Sequence, residues 1–251
     1  MRVKLCKTTQ IIIKSYNLDS NFLSVQKTQI QTPSGLYAFL SHSPLNIAFH
    51  AGNDCKENVL KNRSAIISPF QLKNLAYLNQ IHGNTIIEAK SGELLGDGDG
   101  ILITQKGIIG MVMVADCNPI LLYDTKKGIL LLLHCGRVGL QKGILINALE
   151  LLQKRFHSCL DELFVYIGPS IRKCCYEVRE DIFSSEILEK GRILRNGRLY
   201  LDLIAGIKAQ LESHLINHYT IAPQCTCCDS SFFSYRRDLN CGRFALFAYL
   251  V

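Results

Sequence analysis

The 251-residue sequence has no tryptophan and no long apolar run. Its longest apolar stretches, around residues 108–115 and 129–133, are far shorter than the roughly 20 residues a transmembrane helix needs. A secretory signal needs an apolar segment of about 7 to 15 residues, whereas the N-terminal region has only Ile11–Ile13. These absences predict a cytoplasmic protein without a membrane partner.

The sequence also has no continuous basic stripe, although 28 Lys and Arg against 21 Asp and Glu leave a net charge of +7. Its basic residues are scattered in short groups, so we expect no nucleic-acid partner. The excess of positive charge fits general solvation or a small anionic substrate. Hydrophobic residues make up 48% and charged residues 20%, which excludes a disordered chain.

No repeat, low-complexity segment or flexible linker interrupts the chain, which indicates a single domain spanning residues 1–251. Short apolar runs rich in β-branched residues predict buried strands at 100–104, 108–115, 128–134, 163–167 and 244–250. Apolar residues at helical spacing predict helices from about 140 to 156 and from 201 to 215. Strands and helices together predict a mixed α+β fold.

Three polar, reactive residues lie next to apolar runs: His82, Cys117 and His134. Two imidazoles and a thiolate suit zinc, and catalytic zinc sites keep a fourth position open. Asp116 could orient a ligand or transfer a proton beside such a metal. The same three residues could instead form a Cys–His nucleophilic pair, with Cys117 as thiolate and either histidine as base.

The segments around these residues resemble the signature segments of the YfiH family: Gln80-Ile81-His82-Gly83, Ala115-Asp116-Cys117-Asn118-Pro119 and His134-Cys135-Gly136. This family is also called the multicopper polyphenol oxidase or laccase-domain family, and its members are purine nucleoside phosphorylases. Further matches follow in the family's order from about Leu45 to the C-terminus, and they include Asn62-Arg63, 99–104, 167–171, 174–178, 201–203, 225–226 and 232–238.

The resemblance implies an α-β-β-α sandwich with mixed sheets, similar to a bacterial toxin deamidase, and zinc held by His82, Cys117 and His134. It implies zinc-dependent phosphorolysis of adenosine, inosine, guanosine and methylthioadenosine to free base and ribose 1-phosphate, together with adenosine deamination. Copper-dependent phenol oxidation is a second activity of the family, so copper is another expected cofactor. A third alternative is a Cys–His hydrolase or amidase acting in cell-wall precursor editing. The expected partners are a purine nucleoside and phosphate, and the expected state is a monomer or weak homodimer.

Substrate-binding residues are expected in the matching segments. Gly136 opens a helix whose free N–H groups favour phosphate, Arg236 and Arg237 could add bidentate contacts, and Tyr176 could stack on a purine. The remaining candidates are Glu177, as a proton shuttle, and Asn46 and Arg63.

One departure from the family concerns the third signature segment. The family usually has Trp-Arg after His-Ala-Gly, whereas this chain has Arg137-Val138. Val138 cannot bind phosphate, and Arg137 is the neighbouring candidate to replace the arginine. This loss favours a further alternative, a non-enzymatic binding protein.

The sequence is rich in cysteine, with eleven residues, an odd number that excludes complete intramolecular pairing. In a reducing compartment they are expected to be free thiols, metal ligands or catalytic groups. Cys225 and Cys228 have the C-x-x-C spacing of a zinc knuckle or redox pair, and a zinc there would need two more ligands, such as Cys174 or Cys241. Because the resemblance accounts for Cys174, Cys175 and Cys225 without a metal, the sequence favours a buried, thiol-rich patch.

Overall fold

A computed structural model describes residues 27–71 and 74–251, so the apolar run Ile11–Ile13 lies outside the described residues. The strands in chain order are β1 Lys27–Gln29, β2 Leu36–Ser41, β3 Asn74–Asn79, β4 Ile86–Glu88, β5 Leu94–Asp97, β6 Gly100–Ile103, β7 Ile108–Val114, β8 Asn118–Asp124, β9 Ile129–Cys135, β10 Phe164–Ile167, β11 Glu177–Val178, β12 Arg192–Arg195, β13 Arg198–Leu201, β14 Thr220–Ile221 and β15 Phe244–Leu250. The α-helices are α1 Lys56–Ile67, α2 Arg137–Gln141, α3 Ile144–Phe156, α4 Glu186–Glu189 and α5 Leu203–Ser213.

Most strands belong to two six-stranded mixed sheets that pack face to face. The first sheet has the order β1-β2-β15-β7-β3-β5 and the second has the order β14-β10-β8-β9-β6-β4. A small third sheet, β11-β13-β12, lies beside them. Successive strands β7 and β8 belong to different sheets, so the turn between them crosses the sandwich at one end.

The alternation of side chains along β9 shows that this strand is covered on both faces, by the first sheet on one and by helices on the other. Leu130 and Leu132 pack between the two sheets, whereas Leu131 and Leu133 point to the opposite face. Because side chains of a strand alternate between faces, a strand with both faces covered is apolar throughout. All seven residues of β9 are buried, as this arrangement requires.

Helices cover the two outer faces of the sandwich. Helices α2 and α3 pack on the second sheet, α3 through residues such as Leu145 and Leu149, and α5 packs against both helices. The outer face of the first sheet packs against α1, where Ile66 contacts the cluster that contains Phe39 and Phe247. The α-β-β-α sandwich implied by the resemblance is therefore confirmed.

The five predicted strands are present as β6, β7, β9, β10 and β15, whereas α1, β2 and β3 are among the elements that were not predicted. The helix predicted from about 140 to 156 is divided into α2 and α3, and Gly143 lies between them with a left-handed φ of 78°. The buried strand β8 was not predicted, because Pro119 near its start is unusual in a central strand. Pro119 has no main-chain N–H, and it lies opposite His134 in the second pair of the β8–β9 ladder, close to the start of the strand.

The helices in the described part of the chain are all too short or too polar to cross a membrane.

Candidate active site

The three residues predicted to bind a metal lie at one end of the sandwich, where strands of both sheets end. His82 follows β3 of the first sheet, Cys117 lies in the turn between β7 and β8, and His134 is the penultimate residue of β9. Their donor atoms all lie within 4.8 Å of one another, and Cys117 Sγ is 3.9 Å from His82 Nε2. Residues separated by 35 and 17 positions thus form one cluster.

A buried carboxylate, Asp99, orders two of the three segments. Its Oδ1 lies 2.7 Å from His134 Nδ1 and accepts a 3.0 Å hydrogen bond from the His82 main-chain N, while Oδ2 accepts one of 2.5 Å from the Gly83 N. These bonds hold the 81–83 turn in place, including the left-handed φ of 56° at His82. Because Nδ1 is engaged by Asp99, Nε2 is the ring nitrogen of His134 that remains to bind a metal.

The electrostatics of the cluster favour a thiolate beside a protonated imidazole. Burial opposes ionisation of the Cys117 thiol, but the neighbouring His134 and His82 outweigh it and lower its pKa to about 6. For His134, burial lowers the pKa, and the charges of Cys117 and Asp99 together raise it to about 9. The same imidazole and thiolate groups would bind a divalent cation in place of the shared proton.

The glycine at position 136 is required by close packing. A Cβ placed there would lie 2.6 Å from Cys117 Sγ and 3.3 Å from His82 Cδ2, so a larger residue would collide with two of the three candidate ligands. Gly136 is also the N-cap of α2.

The donor set fits zinc. Two imidazoles and one thiolate are three of the four ligands of a catalytic zinc site, and a carboxylate bound to the second nitrogen of a ligand histidine is typical of such sites. His82, Cys117 and His134 supply the first set, and Asp99 supplies the carboxylate. A His₂Cys set also suits copper.

The cluster lies in a pocket of about 570 Å³, large enough for a ligand the size of a nucleoside. The lining is cationic, because Arg137, Arg236 and Arg243 all face it. The other lining residues are His50, Gln80, His82, Met113, Val114, Ala115, Asp116, Cys117, His134, Ile171, Tyr176, Leu203 and Tyr235.

Three of the predicted substrate or proton-transfer residues line this pocket: Asp116, Tyr176 and Arg236. Both oxygens of Asp116 accept hydrogen bonds, from Thr226 Oγ1 at 2.6 Å and from the Arg236 main-chain N at 2.7 Å. Asp116 therefore anchors the segment that carries Arg236, and its role in proton transfer stays a prediction.

Five predicted substrate-binding residues lie outside the lining. One of them is Gly136, which packs against Cys117, and the other four are engaged elsewhere. The guanidinium of Arg237 donates to the carbonyls of Thr226 and Phe232 at 2.6 Å each, and the Glu177 carboxylate pairs with Arg198. Asn46 and Arg63 are buried, and both bond to the main chain of the segment around Ile47. In the free protein these four groups support loops rather than face the pocket, because their polar atoms are engaged elsewhere.

Several residues of the site were not predicted as site residues. Asp99, which is buried behind His134 and outside the pocket lining, was part of a matching segment, and its signal was an acidic residue directly before a buried strand. Arg243, next to Gly242, lies in the C-terminal region that the resemblance covers. His50 carried no signal beyond its residue type. Gln80, beside His82, pairs with both main-chain groups of Met113, at 2.7 and 2.8 Å, and so joins the β3 turn to β7.

If His82, Cys117 and His134 hold a metal ion, Asp99→Asn is expected to weaken its binding about 10–100-fold, because loss of a carboxylate behind a ligand histidine has effects of that size. An amide keeps one oxygen for the turn but removes the negative charge behind His134. Competition with a chromophoric chelator measures the affinity. Asp97→Asn is the matched control, since that exposed carboxylate bonds only to Asn79 within the described part of the chain. Equal affinities for both variants would contradict the role given to Asp99.

These features define an α-β-β-α protein with a His-Cys-His cluster at the base of a cationic pocket. Residues 32–251 match the family model described as multi-copper polyphenol oxidoreductase laccase. The chain belongs to this family, which includes the YfiH and YlmD proteins.

Relatives at about 30% identity are named purine nucleoside phosphorylases. One from Clostridium acetobutylicum is 32% identical over 72% of this chain and 78% of its own length. Another, from Corynebacterium glutamicum, is 30% identical over 90% of this chain and 95% of its own length.

Solved structures share the fold. YlmD from Geobacillus stearothermophilus superposes with a TM-score of 0.79 at 25% identity, covering 86% of this chain and 92% of its own. YfiH from Bacillus licheniformis has the same TM-score at 23% identity, over 86% and 93% of the two chains, and shows likeness of fold alone.

Proposed function

We propose that this protein is a zinc-dependent purine nucleoside phosphorylase that also deaminates adenosine at the same site. One observation carries the proposal: the three candidate metal ligands and three arginines line the same pocket. The names of the relatives support the same reaction class. Adenosine, inosine, guanosine and methylthioadenosine are the proposed substrates.

The arginines supply the phosphate site in this proposal. Arg137 begins α2, so the phosphate it attracts would also lie near the positive end of that short helix. Arginine binds phosphate through parallel N–H donors, and such charged hydrogen bonds are among the stronger ones in proteins. Because Arg137 faces the pocket and Val138 does not line it, Arg137 takes the place of the family arginine from the neighbouring position.

Aromatic side chains supply the purine site. Tyr176 and the half-exposed Tyr235 both line the pocket, and each carries a guanidinium over its ring, from Arg236 at 5.2 Å and Arg243 at 5.9 Å. Such rings offer flat apolar faces for a base.

His50 is the proposed proton acceptor in this pocket. Partial burial, followed by the nearby Arg243 and Arg63, lowers its pKa, so its imidazole is neutral at pH 7. A neutral imidazole can take a proton from the attacking phosphate in phosphorolysis or from the attacking water in deamination. The resulting imidazolium can then protonate the leaving purine or the leaving amine. Zinc held by the three donors would supply a Lewis acid, while Asp99 and Gln80 keep those donors in position.

The test is release of free base from adenosine or inosine, with and without phosphate and with and without chelator. We expect base and ribose 1-phosphate only with phosphate, loss of activity after chelation, and recovery on adding zinc. Arg137→Ala should raise the KM for phosphate about 10-fold or more, since a hydrogen bond between charged groups contributes about 1.5–3 kcal/mol. Arg179→Ala is the control, because that exposed side chain lies outside the pocket lining.

A second candidate is a Cys–His hydrolase or amidase, which the thiolate–imidazolium character of Cys117 and His134 favours. Activity that resists chelation but is lost on thiol alkylation would establish this candidate and contradict zinc-dependent phosphorolysis. Zinc or copper as the resident metal would be distinguished by elemental analysis, and phenol oxidation by a copper-loaded sample would support the oxidase alternative.

A further inference from the structure

Four cysteines outside the active site come together from two distant segments. Cys174 and Cys175 lie in a turn between β10 and β11, and Cys225 and Cys228 lie in a turn after β14. About 50 residues separate the two pairs in the chain, and their four Sγ atoms all lie within 4.8 Å of one another. The thiols are free, and the cluster is not fully buried as the sequence favours, because Cys174 and Cys228 are exposed.

The distances match those of a metal site. Cys228 Sγ lies 3.8 Å from Cys174 Sγ and 3.3 Å from Cys175 Sγ. Four sulfurs bound tetrahedrally to zinc at about 2.3 Å are about 3.8 Å apart. A structural zinc site closed by four thiolates therefore fits this cluster with shifts of a few tenths of an ångström for the shortest pair.

The main chain around the cluster stabilises negatively charged sulfur. The Arg172 N donates to Cys225 Sγ at 3.4 Å, and Cys225 also begins a tight turn in which the Cys228 N bonds to the Cys225 carbonyl. In zinc knuckles, such turns hold the C-x-x-C pair against the metal, and N–H groups directed at the sulfurs orient the ligands.

Positive side chains surround the cluster. Arg172 and Arg195 both interact electrostatically with its sulfurs, and Arg195 also donates to the Cys174 carbonyl. The Nη1 atom of Arg172 is buried and has no hydrogen-bond partner within the described part of the chain. Zinc with four thiolates carries a net charge of −2, and the guanidinium groups of Arg172 and Arg195 would each offset one of those negative charges.

We propose that Cys174, Cys175, Cys225 and Cys228 bind a second, structural zinc ion. This ion would join the 172–176 turn to the 225–243 segment. Tyr176 directly follows the first ligand pair, and Arg236, on the second segment, donates to the Glu177 carbonyl at 2.7 Å. Both Tyr176 and Arg236 line the active-site pocket. The second zinc therefore holds one wall of that pocket without contacting the substrate.

The test is the zinc content of full-length protein purified under reducing conditions. We expect two zinc ions per wild-type chain, one in Cys228→Ser, one in Cys117→Ala and none in the double variant. Cobalt loaded into Cys117→Ala should show the intense sulfur-to-metal absorption of a four-thiolate site, and Cys228→Ser should remove it. The melting temperature of Cys228→Ser should fall by roughly 5–10 °C, because the folded state loses a bound ligand.

Cys159→Ser is the matched control, since this exposed thiol lies outside both clusters and should leave two zinc ions. If Cys228→Ser does not fold, Cys174→Ser, which changes an exposed side chain, answers the same question. The proposal would be overturned if the wild-type chain held one zinc ion and both Cys228→Ser and Cys174→Ser retained it. A Cys175–Cys228 disulfide in the purified protein, found by counting thiols in denaturant, would also overturn it. The proposal is independent of phosphorolysis, since the metal count requires no activity.

Discussion

Cys117→Ala is expected to produce a folded protein that lacks the active-site metal and has no measurable nucleoside turnover. The substitution removes the single thiolate among three donors and leaves two imidazoles, too few ligands to retain zinc at this site. It also removes the negative charge that raises the pKa of His134. Metal analysis combined with the phosphate-dependent release of base measures both effects.

Cys159→Ser controls for the loss of a thiol elsewhere and should keep wild-type activity. Circular dichroism should show the same secondary structure in both variants, because Cys117 lies in a turn. Full phosphorolysis by metal-free Cys117→Ala would be incompatible with the proposed zinc mechanism. It would also contradict the hydrolase alternative, in which the same thiol is the nucleophile.

Gly136→Ala is expected to damage the active site more than the fold. The new Cβ would lie 2.6 Å from Cys117 Sγ, closer than any real contact, and the neighbouring atoms must move. Displacing a catalytic group by about 1 Å can reduce activity by a factor of about 10². We therefore expect a loss of that size together with weaker metal binding, measured by steady-state kinetics and chelator competition.

Gly107→Ala is the matched control and should show the opposite pattern. Gly107 has a φ of 85°, and a Cβ at this position would have nothing within 4 Å in the described part of the chain. Alanine there would therefore be destabilising only through backbone strain. That strain costs about 1–2 kcal/mol of folding stability, which should lower the melting temperature while metal content and activity stay unchanged. If Gly136→Ala lost stability but kept its metal, the close approach to Cys117 would not matter for the site.

The three candidate metal ligands could be named from the sequence because each is a reactive side chain beside an apolar segment. Their binding of a metal stays a prediction. The apolar signal is local: a strand of continuous apolar residues, such as β9, marks a buried position, and His134 stands near its end. The fold class was predictable from the same patterns and from the resemblance, since β9 and β15 are apolar on both faces.

The roles of the charged residues could not be predicted in the same way. Arg236 and Arg237 are neighbours in the sequence, yet one lines the pocket and the other bonds to main-chain carbonyls of its own loop. Adjacent side chains in a turn point in different directions, and the direction depends on contacts with distant segments. Asp116 depends on a distant segment in the same way, because it accepts a hydrogen bond from Thr226, 110 positions away.

From the sequence patterns one can determine the mixed α+β class and the residue types that react, because burial and periodicity are properties of short segments, whereas the layers of the sandwich were implied by the resemblance. The tertiary structure decides which of those residues meet. It brings His82, Cys117 and His134 within 4.8 Å, places Asp99 behind His134, and gathers four thiols from two turns. These contacts depend on the turn that connects β7 in one sheet to β8 in the other, and on loops that are far apart in the sequence. A single sequence carries no local signal for either.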